Sequence, residues 1–81
     1  MLVTISSSGS SPNVIKALQV GRQIGMTLVT LSGLNPQNKS RLLGDLNIYL
    51  PGNRYGIVES GHQVILHCWL DYYLISKGID M

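Results

Sequence analysis

Five serines cluster near the start of the chain, between an apolar run and a helix-start signal. They are Ser6, Ser7, Ser8, Ser10 and Ser11, and Gly9 lies among them. Serine hydroxyls and the unpaired N–H groups of a helix amino terminus both donate hydrogen bonds to anions, and glycine lets the backbone approach them closely. The segment therefore predicts a phosphate-binding loop that needs no Lys or Arg. The alternative is an ordinary connector in which Ser11 only caps the helix.

A second group of reactive side chains is predicted on the last helix of the chain. Its members are Glu59, His62, Gln63 and His67. At helical spacing these positions share one broad face, directed toward the ends of the strands. Carboxylate and imidazole groups transfer protons or bind metals, although a zinc signature such as His-Glu-x-x-His is not present. The alternative is that both histidines are structural, and His62 is the one more expected to be so.

Alternating strand and helix signals position both groups. The predicted strands are Leu2–Ile5, Met26–Leu31 and Leu46–Leu50. Helices are expected from Pro12 to about Gly25, briefly at Lys39–Leu43, and from about Tyr55 to Ser76. Such alternation indicates an α/β fold with a parallel sheet, in which ligands bind beyond the carboxyl ends of the strands. Three loops are expected there, namely Ser6–Ser11, Ser32–Gln37 and Pro51–Tyr55.

The composition of the chain narrows the classes of function. The 81 residues suffice for one domain with a thin core, and 44% of them are hydrophobic, so we expect some apolar surface to contact another chain. The six basic residues are scattered and the net charge is +2, which argues against nucleic acid as a partner. The longest apolar stretch, within Val64–Ile75, is too short to span a membrane. With the single cysteine Cys68 and no secretion signal, the expected compartment is the cytoplasm.

The serine-rich segment resembles a known family motif. Ser6-x-Ser8-Gly9-x-Ser11-Pro12-Asn13-Val14-Ile15-Lys16-Ala17 is similar to the phosphate-binding motif of sugar isomerase (SIS) domains of the phosphoheptose isomerase type. The resemblance implies that Ser6, Ser7, Ser8 and Ser11 bind the phosphate of a sugar. The sequence departs from the motif at Ser7 and Ser10, where relatives often have Thr and Asn. The implied fold is a flavodoxin-like, three-layer αβα parallel sheet, of which residues 1–81 form the last three β-α units as a partial SIS domain.

The last helix extends the resemblance to the acid–base groups. Relatives carry two histidines five residues apart on this helix, and His67 matches the one that acts as acid and base. Glu59 occupies a position where heptose isomerases often have Gln. The resemblance therefore implies His67 as a catalytic residue, and Glu59, which departs from the family pattern, adds a carboxylate that could act as the catalytic base. No cofactor is required, and a divalent metal such as zinc could bind to the same two side chains.

The implied activity is that of a ketose/aldose phosphate isomerase that converts sedoheptulose 7-phosphate to heptose 7-phosphate, for lipopolysaccharide or another surface polysaccharide. In the family the first half of the domain supplies a catalytic Glu, and the sequence has no counterpart of that half. We therefore expect the isolated chain to be inactive or weak. The alternative is a non-catalytic module for phosphosugar binding or oligomerisation. Expected partners are a phosphorylated sugar and either further copies of the chain or the missing amino-terminal half, but neither nucleic acid nor a membrane.

Overall fold

The computed structural model describes residues 1–79, in which strands and helices alternate. The elements are β1 (Leu2–Ile5), α1 (Pro12–Gln23), β2 (Leu28–Gly33), α2 (Lys39–Leu43), β3 (Leu46–Leu50) and α3 (Tyr55–Ser76). The strands form one parallel sheet in the order β1-β2-β3, with β2 in the centre. The predicted α/β class with a parallel sheet is confirmed.

The two faces of the sheet differ in chemistry because side chains alternate along each strand. Helices α1 and α2 pack together on one face, and α3 packs on β2 and β3 from the other side, which gives three layers. Under α1 and α2 the face carries several hydroxyl and amide side chains, namely Thr4, Thr30, Ser32 and Asn47. The face toward α3 is apolar and carries Val3, Ile5, Val29, Leu31, Ile48 and Leu50.

Strand β2 lies two residues further along the chain than the sequence suggests. At its start, the Met26 N–H donates to the Gly21 carbonyl at 2.9 Å, so Met26 closes α1 instead of opening the strand. At its end, Ser32 and Gly33 continue the parallel pairing with β3. All six residues of the strand are buried. The loop expected at Ser32–Gln37 is therefore shorter, and Ser32 lies within the sheet.

Helix α3 approaches the sheet closely at two glycines. A Cβ atom on Gly33 would lie 2.5 Å from Cγ1 of Val58, and one on Gly61 would overlap the Leu50 side chain. Val58 is fully buried at this contact. These contacts fix the amino-terminal half of α3 against the ends of β2 and β3.

The carboxy-terminal half of α3 extends away from the sheet. Its exposed large apolar side chains are Trp69, Leu70, Tyr72, Tyr73 and Ile75. The radius of gyration is 13.5 Å, against about 12 Å for a compact domain of this length. The accessible surface is 5443 Å², against roughly 4,800 Å² for a folded monomer of this mass. Among residues 1–79 no helix combines the length and apolar character needed to cross a bilayer.

Candidate functional site

A cleft of about 530 Å³ opens at the carboxyl end of β1, between the serine loop and the first turns of α3. Its lining residues are Ile5, Ser6, Ser7, Ser8, Ser11, Asn13, Val14, Tyr55, Glu59, His62, Gln63 and Leu66. The four serines expected to bind phosphate thus line one cleft together with Glu59. We refer to it below as the serine cleft.

The serine loop is a tight turn held by its own first serine. The Gly9 N–H donates to both the carbonyl and the hydroxyl oxygen of Ser6, each at 3.1 Å. Gly9 adopts a φ of 64°, which a side chain would disfavour. The Ser6 hydroxyl also lies 3.5 Å from the Ser11 hydroxyl. Because Ser6 is buried and already bonded, its hydroxyl shapes the turn as well as lining the cleft.

The amino terminus of α1 leaves donors free at the cleft. Ser11 occupies the N-cap position, but its hydroxyl makes no capping hydrogen bond, which the alternative of a connector capped by Ser11 would require. The Ile15 N–H donates to the Ser11 carbonyl at 3.0 Å. The amides of Asn13 and Val14 come before it and have no partner within the helix, as at any helix start. The Ser11 hydroxyl and two backbone amides are therefore available to an anion.

Helix α3 turns three of its four predicted residues toward the cleft. Glu59, His62 and Gln63 line it, whereas His67 is exposed and does not. The expectation that all four share this face is wrong for His67. Successive residues of a helix rotate by about 100° and rise by about 1.5 Å. His67 therefore lies about a quarter-turn from the centre of the cleft face and a full turn beyond Gln63.

His62 has both a structural contact and a place in the cleft wall. Its side chain is 2% exposed. Its Nε2 atom lies 2.9 Å from the Ser32 carbonyl oxygen, and because a carbonyl only accepts, Nε2 carries the proton. The buried Nδ1 atom has no hydrogen-bond partner within the described residues. His62 thus ties α3 to the end of the central strand.

A metal site is not assembled by the described part of a single chain. Within residues 1–79 no three side chains of His, Cys, Asp or Glu converge. Glu59 lies in the serine cleft and His67 outside it, so the two side chains suggested for a divalent metal are not brought together.

Two features of the site were not anticipated from the sequence. Tyr55, the first residue of α3, lines the cleft and is largely exposed. Asn38 lies outside the cleft but directly beneath the loop, where a Cβ on Gly9 would overlap its side chain. An Asn before a short helix is a recognisable N-cap signal, but nothing local indicates that it contacts a loop almost thirty residues earlier.

The fold and the cleft together define a class of protein. It is an α/β protein whose cleft, at the end of β1, is lined by hydroxyls and helix-terminal amides, with a carboxylate and an imidazole on the facing helix. None of the lining residues is Lys or Arg. Neutral, preformed donors are suited to a ligand with one phosphate and an uncharged remainder.

Comparisons with known proteins find relatives of this chain. The chain is 37% identical over 78 residues to a phosphoheptose isomerase of Trichlorobacter lovleyi, a match that covers 96% of this chain and 38% of the relative. It is 36% identical over 82 residues to a phosphoheptose isomerase of Aromatoleum aromaticum, covering 99% of this chain and 38% of the relative. The chain is thus homologous to part of the phosphoheptose isomerases, and it spans less than two fifths of their length. No protein-family model matches it.

A solved structure shows the same fold. The phosphoheptose isomerase of Francisella tularensis superposes with a TM-score of 0.80 over 86% of this chain and 38% of that protein, at 23% identity. At this identity the match supports the fold alone. The fold and the relatives together fit a partial, carboxy-terminal, isomerase-like domain, as the resemblance implied.

Proposed function

We propose that the chain is the sugar-phosphate-binding part of a ketose/aldose phosphate isomerase, with the phosphate held by the serine loop. The observation that carries the proposal is that Ser6, Ser7, Ser8 and Ser11 line one cleft with the free amides at the start of α1. The relatives named phosphoheptose isomerase make sedoheptulose 7-phosphate the first substrate to test. By the same likeness the chain is a partial SIS domain of the cytoplasm that serves lipopolysaccharide or other surface-polysaccharide synthesis.

Phosphate binding is tested by titration of the 81-residue chain with sedoheptulose 7-phosphate, followed by NMR of the loop amides and by calorimetry. Ser8→Ala and Ser11→Ala should each weaken binding about tenfold or more, since a hydrogen bond to a charged group contributes roughly 1.5–3 kcal/mol. Ser10→Ala is the matched control, because Ser10 lies in the same loop without lining the cleft. Ser11→Ala removes no helix cap, so its effect reports on the ligand. Equal affinity in all three variants would remove the basis of the proposal.

The isomerisation requires a base and an acid. A base takes the proton from the hydroxyl-bearing carbon beside the carbonyl, and an acid protonates the carbonyl oxygen, which gives the enediol. The proton then returns to the former carbonyl carbon, while the neighbouring hydroxyl loses its proton and becomes the new carbonyl. Glu59 lies in the cleft where the sugar would follow its phosphate, and is proposed as one of these groups. His67 is proposed as the other. Because it lies outside its own chain's cleft, it would act in a cleft completed by another chain or by the missing half.

Assembly into a homo-oligomer is part of the proposal. The carboxy-terminal half of α3 exposes five large apolar side chains. Strand β1 pairs only with β2, so its other edge presents unpaired backbone groups within the described residues. Pairing with further copies of the chain, or with an amino-terminal half, would cover both surfaces.

A non-catalytic phosphosugar-binding module is the second candidate. The position of His67 favours it, because one chain presents a phosphate loop and Glu59 but not the second acid–base group in the cleft. Turnover separates the candidates. The assembly that supplies the missing half should interconvert sedoheptulose 7-phosphate and its aldose, and lose activity in His67→Ala, whereas a binding module would bind the sugar phosphate without turnover.

A further inference from the structure

We propose that Asn38 is a positioning residue for the serine loop, and that it sets the phosphate affinity of the cleft without contacting the ligand. The inference rests on the proposed phosphate site. Asn38 is 1% exposed and is not among the residues that line the cleft. Its influence has to pass through Gly9, the one residue of the serine loop with a left-handed backbone.

The Asn38 side chain is fixed by four hydrogen bonds. Its Nδ2 atom donates to the Ser32 hydroxyl at 3.0 Å and to the Asn35 carbonyl at 2.8 Å. Its Oδ1 atom accepts from the Arg41 N–H at 2.9 Å and from the Ser40 hydroxyl at 3.0 Å. An amide with two donors and two acceptor sites filled has no freedom to rotate. Asn38 is therefore a rigid support.

The contact with the loop is made in two ways. The Cα of Gly9 lies so close to Asn38 that an added Cβ would overlap the amide group. The Ser40 N–H, whose residue is held by Asn38, donates to the Gly9 carbonyl at 2.8 Å. Together they hold the Gly9 peptide so that its N–H points at Ser6. Ser6 in turn lies beside Ser11, so one network of contacts runs from the central strand to the anion donors.

An N-cap alone does not account for this arrangement. Capping of α2 uses only Oδ1, which accepts from the Arg41 N–H. The two Nδ2 bonds and the contact with Gly9 lie outside the cap. These contacts place the Asn38 amide group between the end of β2 and the serine loop. There it determines how closely the serine loop can approach the sheet.

The test separates positioning from stability. Asn38→Ser keeps a capping oxygen but is too short to reach Ser32 or to support Gly9. We expect its affinity for inorganic phosphate and for sedoheptulose 7-phosphate to fall about tenfold or more, by analogy with outer-shell residues at metal sites. Asp45→Ala, at the opposite end of the sheet, is the stability control. It removes the carboxylate that accepts from the Leu28 N–H, and should lower the melting temperature without changing the affinity.

A double-mutant cycle identifies the route through Gly9. Gly9→Ala and Asn38→Ser should together weaken phosphate binding by clearly less than the product of their separate effects, because both disturb one contact. In the ligand-free protein, the Ser40 amide should exchange faster in Asn38→Ser than in Asp45→Ala. Wild-type affinity in Asn38→Ser, or multiplicative effects in the cycle, would overturn the inference while leaving the phosphate site intact. Failure of the parent chain to bind either phosphate compound would instead overturn both.

Discussion

Replacing Gly33 by Ala tests the contact that seats α3 on the sheet. The new Cβ would lie 2.5 and 2.8 Å from the two Cγ atoms of Val58, and 3.0 Å from the Leu50 carbonyl oxygen. Val58 is fully buried, and its branched side chain has essentially one χ1 rotamer in a helix. The carbonyl belongs to β3 and is equally fixed. The methyl group can be accommodated only if α3 moves away from the sheet.

The size of the effect follows from two opposing contributions. Overpacking a buried contact costs about 1–3 kcal/mol, whereas Ala in place of a strand Gly gains about 0.5–1 kcal/mol. The net loss is about 0.5–2 kcal/mol of a total stability of roughly 4–12 kcal/mol. For a domain of this size it lowers the melting temperature by several degrees, at about 4–8 °C per kcal/mol. Gly56→Ala is the control within α3, because a Cβ atom at residue 56 would have no other atom within 4 Å. This substitution should stabilise the helix by about 0.5–1 kcal/mol.

The assay is thermal and urea unfolding of four proteins, namely the parent, Gly33→Ala, Val58→Ala and the double variant. Val58→Ala alone loses about 1.5–3 kcal/mol of buried side chain. In the double variant the added methyl group occupies space that the valine vacates. The combined loss should therefore be smaller than the sum by about 0.5–3 kcal/mol. Additive losses, or a Gly33→Ala protein as stable as Gly56→Ala, would refute the contact.

Three further predictions concern pH, turnover and assembly. The Leu28 N–H, and then the Arg22 guanidinium at 2.9 Å, hold the pKa of Asp45 below its ordinary value of 3.8. The Asp45 carboxylate therefore stabilises the folded state at pH values above 3.8, and this stabilisation is lost as the pH falls through the pKa of the folded protein. The difference in unfolding free energy between the parent and Asp45→Asn should therefore disappear on acidification. Urea titrations across the acid range measure this gap, and a constant gap would contradict the prediction. The isolated chain should turn over sedoheptulose 7-phosphate at least about 10²–10⁴-fold more slowly than an assembly that supplies the second acid–base group. A coupled assay measures both rates. Comparable rates would show that Glu59 and His67 are sufficient for the isomerisation. Sedimentation at micromolar concentration should show an oligomer that Trp69→Glu weakens, and a monodisperse parent monomer would show that α3 needs no partner.

Local signals predicted most element boundaries. Strand β3 and helix α3 begin and end where the sequence places them, because Pro51-Gly52 interrupts the chain between them. Strand β2 was placed two residues too early since its carboxyl end, Ser32 and Gly33, has the composition of a loop. Both residues pair with β3, and they are buried on opposite faces of the sheet, Gly33 under α3 and Ser32 beside Asn38. Such support is tertiary, and no local pattern encodes it.

The candidate site was predicted in its composition but not in its construction. The serines and Glu59 were found from their types and spacing, and they line one cleft. His67 was assigned to the same face because angular spacing was considered without the rise along the helix axis. Asn38 was missed because its role depends on a contact between two loops that are distant in the chain.

The length of α3 turns a small change at one end into a large displacement at the other. The helix has 22 residues and contacts the sheet near its beginning, at Val58. Leu74 lies 16 residues further on, which is about 24 Å along the helix axis. A tilt of about 10° at Val58 would carry the far end through about 4 Å, roughly the width of a side chain. The absence of a side chain at Gly33 therefore sets the angle of α3 relative to the sheet. That angle determines the direction in which the exposed aromatic side chains of α3 face a packing partner.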